Sequence, residues 1–199
     1  KFFWFTDEII AGTPVKLARS GWSGQGGFEI YLQDSSKGND LWDLFWEAGK
    51  KYNLQPGAPN LIERIETGLK SYGADMTIDS DPFEAGFESY MDLDKDAEYM
   101  CREALAEIAK TGPEKRLVNL FIEGEKLADL RSDWSVLNGS GDHIGVVTSQ
   151  AYSPRYEANL AFAIVDAAHA DVGNTVKVDA EGVVRDATIR DARWREAAN

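Results

Sequence analysis

At Gly112-Pro113 the hydrophobic pattern of this chain changes period, and the change limits the folds open to it. Before that pair, apolar residues recur at helical spacing in three stretches. The first carries Leu41, Leu44, Phe45 and Ala48 from about Asp40 to Gly49. The second follows Pro59, with Asn60 as its cap, and carries Leu61, Ile62, Ile65 and Leu69 up to a stop at Tyr72-Gly73. The third runs from about Ala97 to Lys110. Beyond Pro113 the texture is β: Leu117 to Glu123, Trp134 to Leu137, Ile144 to Thr148, Leu160 to Val165, Val176 to Val178 and Val183 to Ile189, with turn clusters such as Asn138-Gly139-Ser140-Gly141-Asp142 between them. Short strands joined by tight turns predict a small antiparallel barrel or sandwich. The expected organisation is α+β, with a mixed α/β segment over residues 1–112 and a β domain over 113–199.

The first 33 residues read as strands around a glycine-rich turn from Gly21 to Gly27. In the run Phe28-Glu29-Ile30-Tyr31-Leu32, alternation puts Phe28, Ile30 and Leu32 on one face and Glu29 with Tyr31 on the other. The glycines lead into a strand and no Lys-Ser/Thr follows, so a phosphate-cradling loop is improbable and a glycine hairpin is the plain reading. Glu29 raises the functional alternative, because a carboxylate accepts two parallel hydrogen bonds from an amino-heterocycle. Trp22 sits among glycines, where a core residue has little reason to be. Glu63 and Glu66 read as a solvated helix face, with Arg64 ambiguous, and the acidic runs Asp75 to Glu84 and Asp92 to Glu98 as solvated loops without calcium-loop spacing.

Composition narrows the partners. A net charge of -13 opposes nucleic acid and anionic lipid, and no apolar run approaches membrane-spanning length. Two histidines leave no basis for a His-rich metal site, and one cysteine, Cys101, suits a reducing cytoplasm and reads as a helix-core thiol. The opening Lys1-Phe2-Phe3-Trp4-Phe5 has no initiator Met and resembles the interior of a fold, so the mixed segment is expected to leave apolar faces uncovered.

The string Arg19-Ser20-Gly21-Trp22-Ser23-Gly24-Gln25-Gly26-Gly27-Phe28-Glu29-Ile30-Tyr31 resembles the R-T/S-G-Y-T/S-G-E-x-G-F/Y-E-I signature of the folate-dependent aminomethyltransferases, the T-protein family of glycine cleavage. Further pieces follow in the family's order: Leu41-Trp42-Asp43, Arg64-Ile65-Glu66-Thr67-Gly68-Leu69, Tyr72-Gly73-Ala74-Asp75, Asp81-Pro82-Phe83-Glu84-Ala85-Gly86, Arg102-Glu103-Ala104-Leu105 and Gly145-Val146-Val147-Thr148-Ser149-Gln150-Ala151-Tyr152-Ser153-Pro154. Trp22 and Gln25 replace the signature's Tyr and Glu, and Ala58-Pro59-Asn60-Leu61 stands where the T-protein has G-A-R-D, without its arginine. These departures are similar to the dimethylsulfoniopropionate demethylase branch of the family.

The resemblance implies a partial folate-binding domain over 1–112 and a C-terminal barrel over 113–199, with the preceding half of the same protein as a partner. It implies tetrahydrofolate as cofactor and methyl transfer from dimethylsulfoniopropionate, giving 3-methylthiopropanoate and 5-methyltetrahydrofolate. Aminomethyl transfer from a lipoyl carrier, or folate binding without transferase activity, are the alternatives. Carried over from the family, Glu29 hydrogen-bonds the pterin and Tyr31 lies beside it, with Trp22 and Tyr31 walling the sulfonium. Phe3 and Trp4 line the same cavity, and Arg19 is one candidate to hold the substrate carboxylate. No catalytic residue falls in this stretch, because the family's aspartate lies in the part before Lys1.

Overall fold

A computed structural model describes residues 1–21, 26–58 and 60–191, so Trp22 and its neighbours up to Gln25 lie outside the described residues. The chain forms two compact units, Lys1–Asn60 and Leu61–Asn199.

In the first unit β1 (Phe5–Ile10), β2 (Thr13–Ala18) and β3 (Glu29–Leu32) form an antiparallel sheet in sequence order. Ala11 and Gly12 join β1 to β2 with φ values of 50° and 82°. Two successive positive φ angles suit the right-handed twist of the flanking strands, which explains the glycine. The register pairs Val15 with Leu32 and Leu17 with Ile30 on one face, and Lys16 with Tyr31 and Ala18 with Glu29 on the other. Val15 is the buried centre of the apolar face. After a turn capped by Asp34, α1 (Gly38–Gly49) carries the helical pattern, with Trp42 stacked on Trp46 at 6.2 Å. Phe2, Phe3, Trp4, Phe5, Phe28 and Trp42 are all exposed, the uncovered apolar surface that the sequence pattern leads one to expect.

The second unit opens with α2 (Leu61–Glu66), which is shorter than its apolar spacing predicts. The Gly68 amide bonds to the Ile65 carbonyl and the Leu69 amide to the Arg64 carbonyl, while Gly68 takes φ 73°. That paired 5→2 and 6→1 closure is the Schellman stop, so Gly68 ends the helix before the Tyr72-Gly73 pair is reached. Likewise α3 (Arg102–Thr111) begins five residues later than Ala97, because Cys101 holds a left-handed φ of 64° in front of it. Cys101 is exposed there and is not a helix-core thiol.

Six strands then close into an antiparallel barrel: β4 (Lys115–Ile122), β5 (Trp134–Leu137), β6 (His143–Ser153), β7 (Ala158–Asp166), β8 (Thr175–Ala180) and β9 (Val183–Arg190). Their order around the barrel is β4-β7-β6-β5-β8-β9. Strand β7 shows why alternation fails in its sequence. Ala161, Ala163 and Val165 join the barrel interior, while Ala158, Leu160 and Phe162 form a second apolar cluster with Ile65 of α2. A strand covered on both faces reads as a continuous apolar run. Gly145 of β6 faces β7 so closely that an added Cβ would stand 2.1 Å from the Ile164 carbonyl oxygen.

Strand β6 extends five residues past its expected end at Thr148 because its polar residues find partners inside. The pairing with β7 shifts between Val147 and Ser149, a bulge centred on Thr148. Successive side chains on a regular strand point to opposite faces, whereas a bulge re-aims them. Thr148 Oγ1 and Ser149 Oγ accordingly both donate to the same oxygen, Asp75 Oδ1, at 2.8 and 2.6 Å. The other oxygen accepts from Arg64 Nη1 at 2.5 Å and from the Ser71 amide at 2.8 Å. Arg64 and Asp75 are 2% and 1% exposed, so this is a buried ion pair welding α2 and the following loop to the barrel wall. It corrects the reading of Asp75 as part of a solvated acidic loop. Glu66 departs from the solvated-face expectation in the same way: it is half-buried and accepts from Ser153 Oγ at 2.5 Å.

Candidate functional site

Cross-strand partners in an antiparallel sheet share a face, so the register of the first unit defines two adjoining rows. One row is Phe5, Ala18 and Glu29; the next is Asp7, Lys16 and Tyr31. Glu29 and Tyr31 therefore do lie together, opposite the apolar face. Glu29 Oε2 accepts hydrogen bonds from Ser20 Oγ and from Tyr31 Oη, the latter at 3.1 Å. The carboxylate is held at the end of β3 by two hydroxyls and stays half-buried, while the Tyr31 ring is exposed beside it. Ser20 was not singled out by sequence reasoning. Its signal is its even parity with Ala18 and Lys16, which returns its hydroxyl to the Glu29 side.

In the second row, Lys16 Nζ pairs with Asp7 Oδ1 at 2.6 Å and lies 5.1 Å from the centre of the Phe5 ring. Lys16 too went unnoticed in the sequence, though Val15 and Leu17 facing inward place it outward. Arg19 behaves differently. Its guanidinium donates to the Gly27 carbonyl at 2.5 Å and stacks over Phe28 at 5.2 Å. Arg19 lies just past the end of β2, and its charge is engaged in tethering the chain ahead of β3.

Phe3 and Trp4 continue the edge of the sheet past β1. The Phe3 amide bonds to the Arg19 carbonyl and the Arg19 amide to the Trp4 carbonyl, at 2.9 and 2.8 Å. The Phe3 ring is 81% exposed and packs edge-to-face on Phe2 at 4.6 Å, while Lys1 Nζ lies 5.3 Å over Trp4. Phe3 is thus hydrogen-bonded to the residue before Ser20, with its ring in solvent. Trp22, the remaining expected site residue, lies outside the described residues.

The chemistry of this face is that of a recognition surface. An anchored carboxylate presents acceptors, an aromatic ring stands next to it, and a cation lies one row away. Among the described residues no group of three or more His, Cys, Asp or Glu is arranged to hold a metal ion, and no helix is long and apolar enough to cross a membrane.

Compared with solved structures, the fold is that of an aminomethyltransferase. The glycine cleavage system aminomethyltransferase T from Bartonella henselae matches 90% of this chain and 49% of its own, with a TM-score of 0.75 at 22% sequence identity. Two family models match in sequence: the GCVT N-terminal domain over residues 1–95 and the glycine cleavage T-protein C-terminal barrel domain over 115–193. The chain belongs to the glycine cleavage T-protein family. Among curated relatives, the dimethylsulfoniopropionate demethylase of Ruegeria pomeroyi is 38% identical over 98% of this chain and 52% of its own length. An aminomethyltransferase of Synechococcus is also 38% identical, over 88% of this chain and 46% of its own. The chain spans about half the length of the curated relatives it matches.

Proposed function

We propose that this chain is the folate-facing and barrel portion of a tetrahydrofolate-dependent methyltransferase that demethylates dimethylsulfoniopropionate, giving 3-methylthiopropanoate and 5-methyltetrahydrofolate. In this reading residues 1–112 belong to the folate-binding domain, residues 113–199 are its C-terminal barrel, the preceding half of the same polypeptide completes the site, and the setting is cytoplasmic. The observation that carries it is Glu29, a carboxylate anchored by Ser20 and Tyr31 on an exposed, aromatic-flanked sheet face. Both hydrogen bonds engage Oε2, which fixes the carboxylate and leaves the lone pairs of Oε1 to accept from the N–H donors of a pterin ring.

When bound, tetrahydrofolate would supply the N5 amine that takes up the methyl group from sulfur and gives up its own hydrogen as a proton. This chain's residues position. Glu29 would hold the heterocycle edge with Tyr31 against it, Phe3 would extend the aromatic wall, and Trp22, outside the described residues, is assigned to that wall from the family resemblance alone. Departure of a neutral thioether needs no general acid, so alignment provides most of the rate gain. Aromatic faces stabilise the sulfonium's positive charge without forming an ion pair that would hold it back.

The demethylase branch is favoured over aminomethyl transfer by the match to the Ruegeria protein across 98% of the chain and by Ala58-Pro59-Asn60-Leu61, which lacks the T-protein's arginine. The equal identity of the Synechococcus aminomethyltransferase keeps aminomethyl transfer as the second reading. A donor competition on the full-length protein separates them, offering dimethylsulfoniopropionate, glycine with lipoyl carrier protein, and sarcosine or dimethylglycine. Turnover of dimethylsulfoniopropionate alone is expected; turnover restricted to the carrier or to a methylamine rejects the demethylase reading.

A further inference from the structure

We propose that Lys16 is the carboxylate-binding residue of the Glu29 and Tyr31 face. This rests on the folate-enzyme reading above, in which both small molecules carry carboxylates: the sulfonium donor and the glutamyl tail of the cofactor. Of the strand residues on this face, namely Phe5, Asp7, Ile9, Pro14, Lys16, Ala18, Glu29 and Tyr31, Lys16 is the one cation. It stands on the middle strand directly opposite Tyr31, and Glu29 lies one row over, a spacing of about 6.8 Å along β3. The face thus presents an acceptor at Glu29 and a donor at Lys16 with the Tyr31 ring between them. That is the polarity needed to hold an amino-heterocycle edge and a carboxylate side by side.

Arg19, the basic residue that the sequence offered as a carboxylate holder, lies just past the end of β2 and has its guanidinium engaged by the Gly27 carbonyl and the Phe28 ring. The present partner of Lys16 is a weak competitor. Asp7 is 73% exposed on an edge strand, and exposed ion pairs contribute little. A ligand carboxylate delivered beside Tyr31, with less water around it, outcompetes Asp7 while Phe5 keeps the ammonium in place.

The test is steady-state kinetics on the full-length protein with two matched pairs. Dimethylsulfoniopropionate is compared with its uncharged carboxamide analogue, and tetrahydrofolate with tetrahydropteroate, which lacks the glutamate. Lys16→Met is expected to raise KM for one carboxylate-bearing partner roughly 10-fold, with kcat nearly unchanged and KM for the uncharged counterpart unmoved. Lys16→Arg restores most of the loss, and Asp7→Asn lowers the same KM by releasing the ammonium. The pair that responds identifies whether the donor or the glutamyl tail supplies the carboxylate. A Lys16→Met variant that changes neither pair, or shifts charged and uncharged members alike, overturns the proposal. If no sulfonium is turned over by the wild-type protein, the demethylase reading alone fails. Lys16 is then decided by calorimetry of tetrahydrofolate against tetrahydropteroate, where equal loss for both overturns its role.

Discussion

Replacing Arg64 by Met should destabilise the protein by about 3–5 kcal/mol, the cost of stranding a buried charge. The structure sets out the reasons. Asp75 is 1% exposed and receives Arg64 Nη1 and the Ser71 amide on one oxygen, and Thr148 and Ser149 hydroxyls on the other. Arg64 also donates to Ser149 Oγ at 2.6 Å and to the Leu69 carbonyl at 3.1 Å, and its guanidinium lies 5.4 Å from the Phe162 ring centre. Methionine retains much of the volume against Phe162, so the loss reports the missing charge rather than a cavity. At 2–4 °C per kcal/mol for a chain of this size, Tm should fall by roughly 6–20 °C. Urea unfolding of the full protein followed by circular dichroism measures the free energy, with an unchanged m-value as the check on the native state. Adding Asp75→Asn to Arg64→Met removes the stranded carboxylate, and the double variant should recover at least about 1 kcal/mol. A loss below about 1 kcal/mol for Arg64→Met, or a second substitution that merely adds to the first, would refute the account.

Glu29→Ala should weaken tetrahydrofolate binding to the full-length protein by about 1.5–3 kcal/mol, the worth of hydrogen bonds to a charged group; unchanged affinity by calorimetry means that Glu29 is not the pterin ligand. Gly145→Ala places a methyl against the Ile164 carbonyl and should cost about 1–3 kcal/mol in thermal or urea unfolding, since the β6–β7 contact has no slack. Lys70 donates to the carbonyls of Ala85 and Gly86 beside Phe87, and burial lowers its pKa below the usual 10.5, against smaller opposing effects of Glu88 and Asp75. Between that lowered pKa and 10.5 the unfolded chain binds more protons than the folded one, so this residue makes stability rise with pH across the window. The rise should be smaller in Lys70→Met, as read from urea midpoints at closely spaced pH values; identical pH profiles would show that the amine is not desolvated.

Much of this architecture is legible in the sequence, and the gaps have physical causes. The six barrel strands and α1 follow from local periodicity, and Glu29 shares a face with Tyr31 because a strand alternates. The lengths of α2 and α3 do not follow from apolar spacing, because a single left-handed residue, Gly68 or Cys101, overrides it. Asp75 and Glu66 look like solvated acids until their partners are known, and those partners, Ser149 and Ser153, lie on a strand more than seventy residues away.

The sequence by itself determined which segments are helix or strand, the change of texture at Gly112-Pro113, and the ordered motifs that mark the family, because all of these depend on near neighbours along the chain. Only the tertiary structure decided the barrel order β4-β7-β6-β5-β8-β9, the bulge that aims Thr148 and Ser149 at one carboxylate, and the choice of Lys16 over Arg19 as the cation beside Tyr31. Each of these depends on register between strands, and a shift of one residue turns every side chain to the other face.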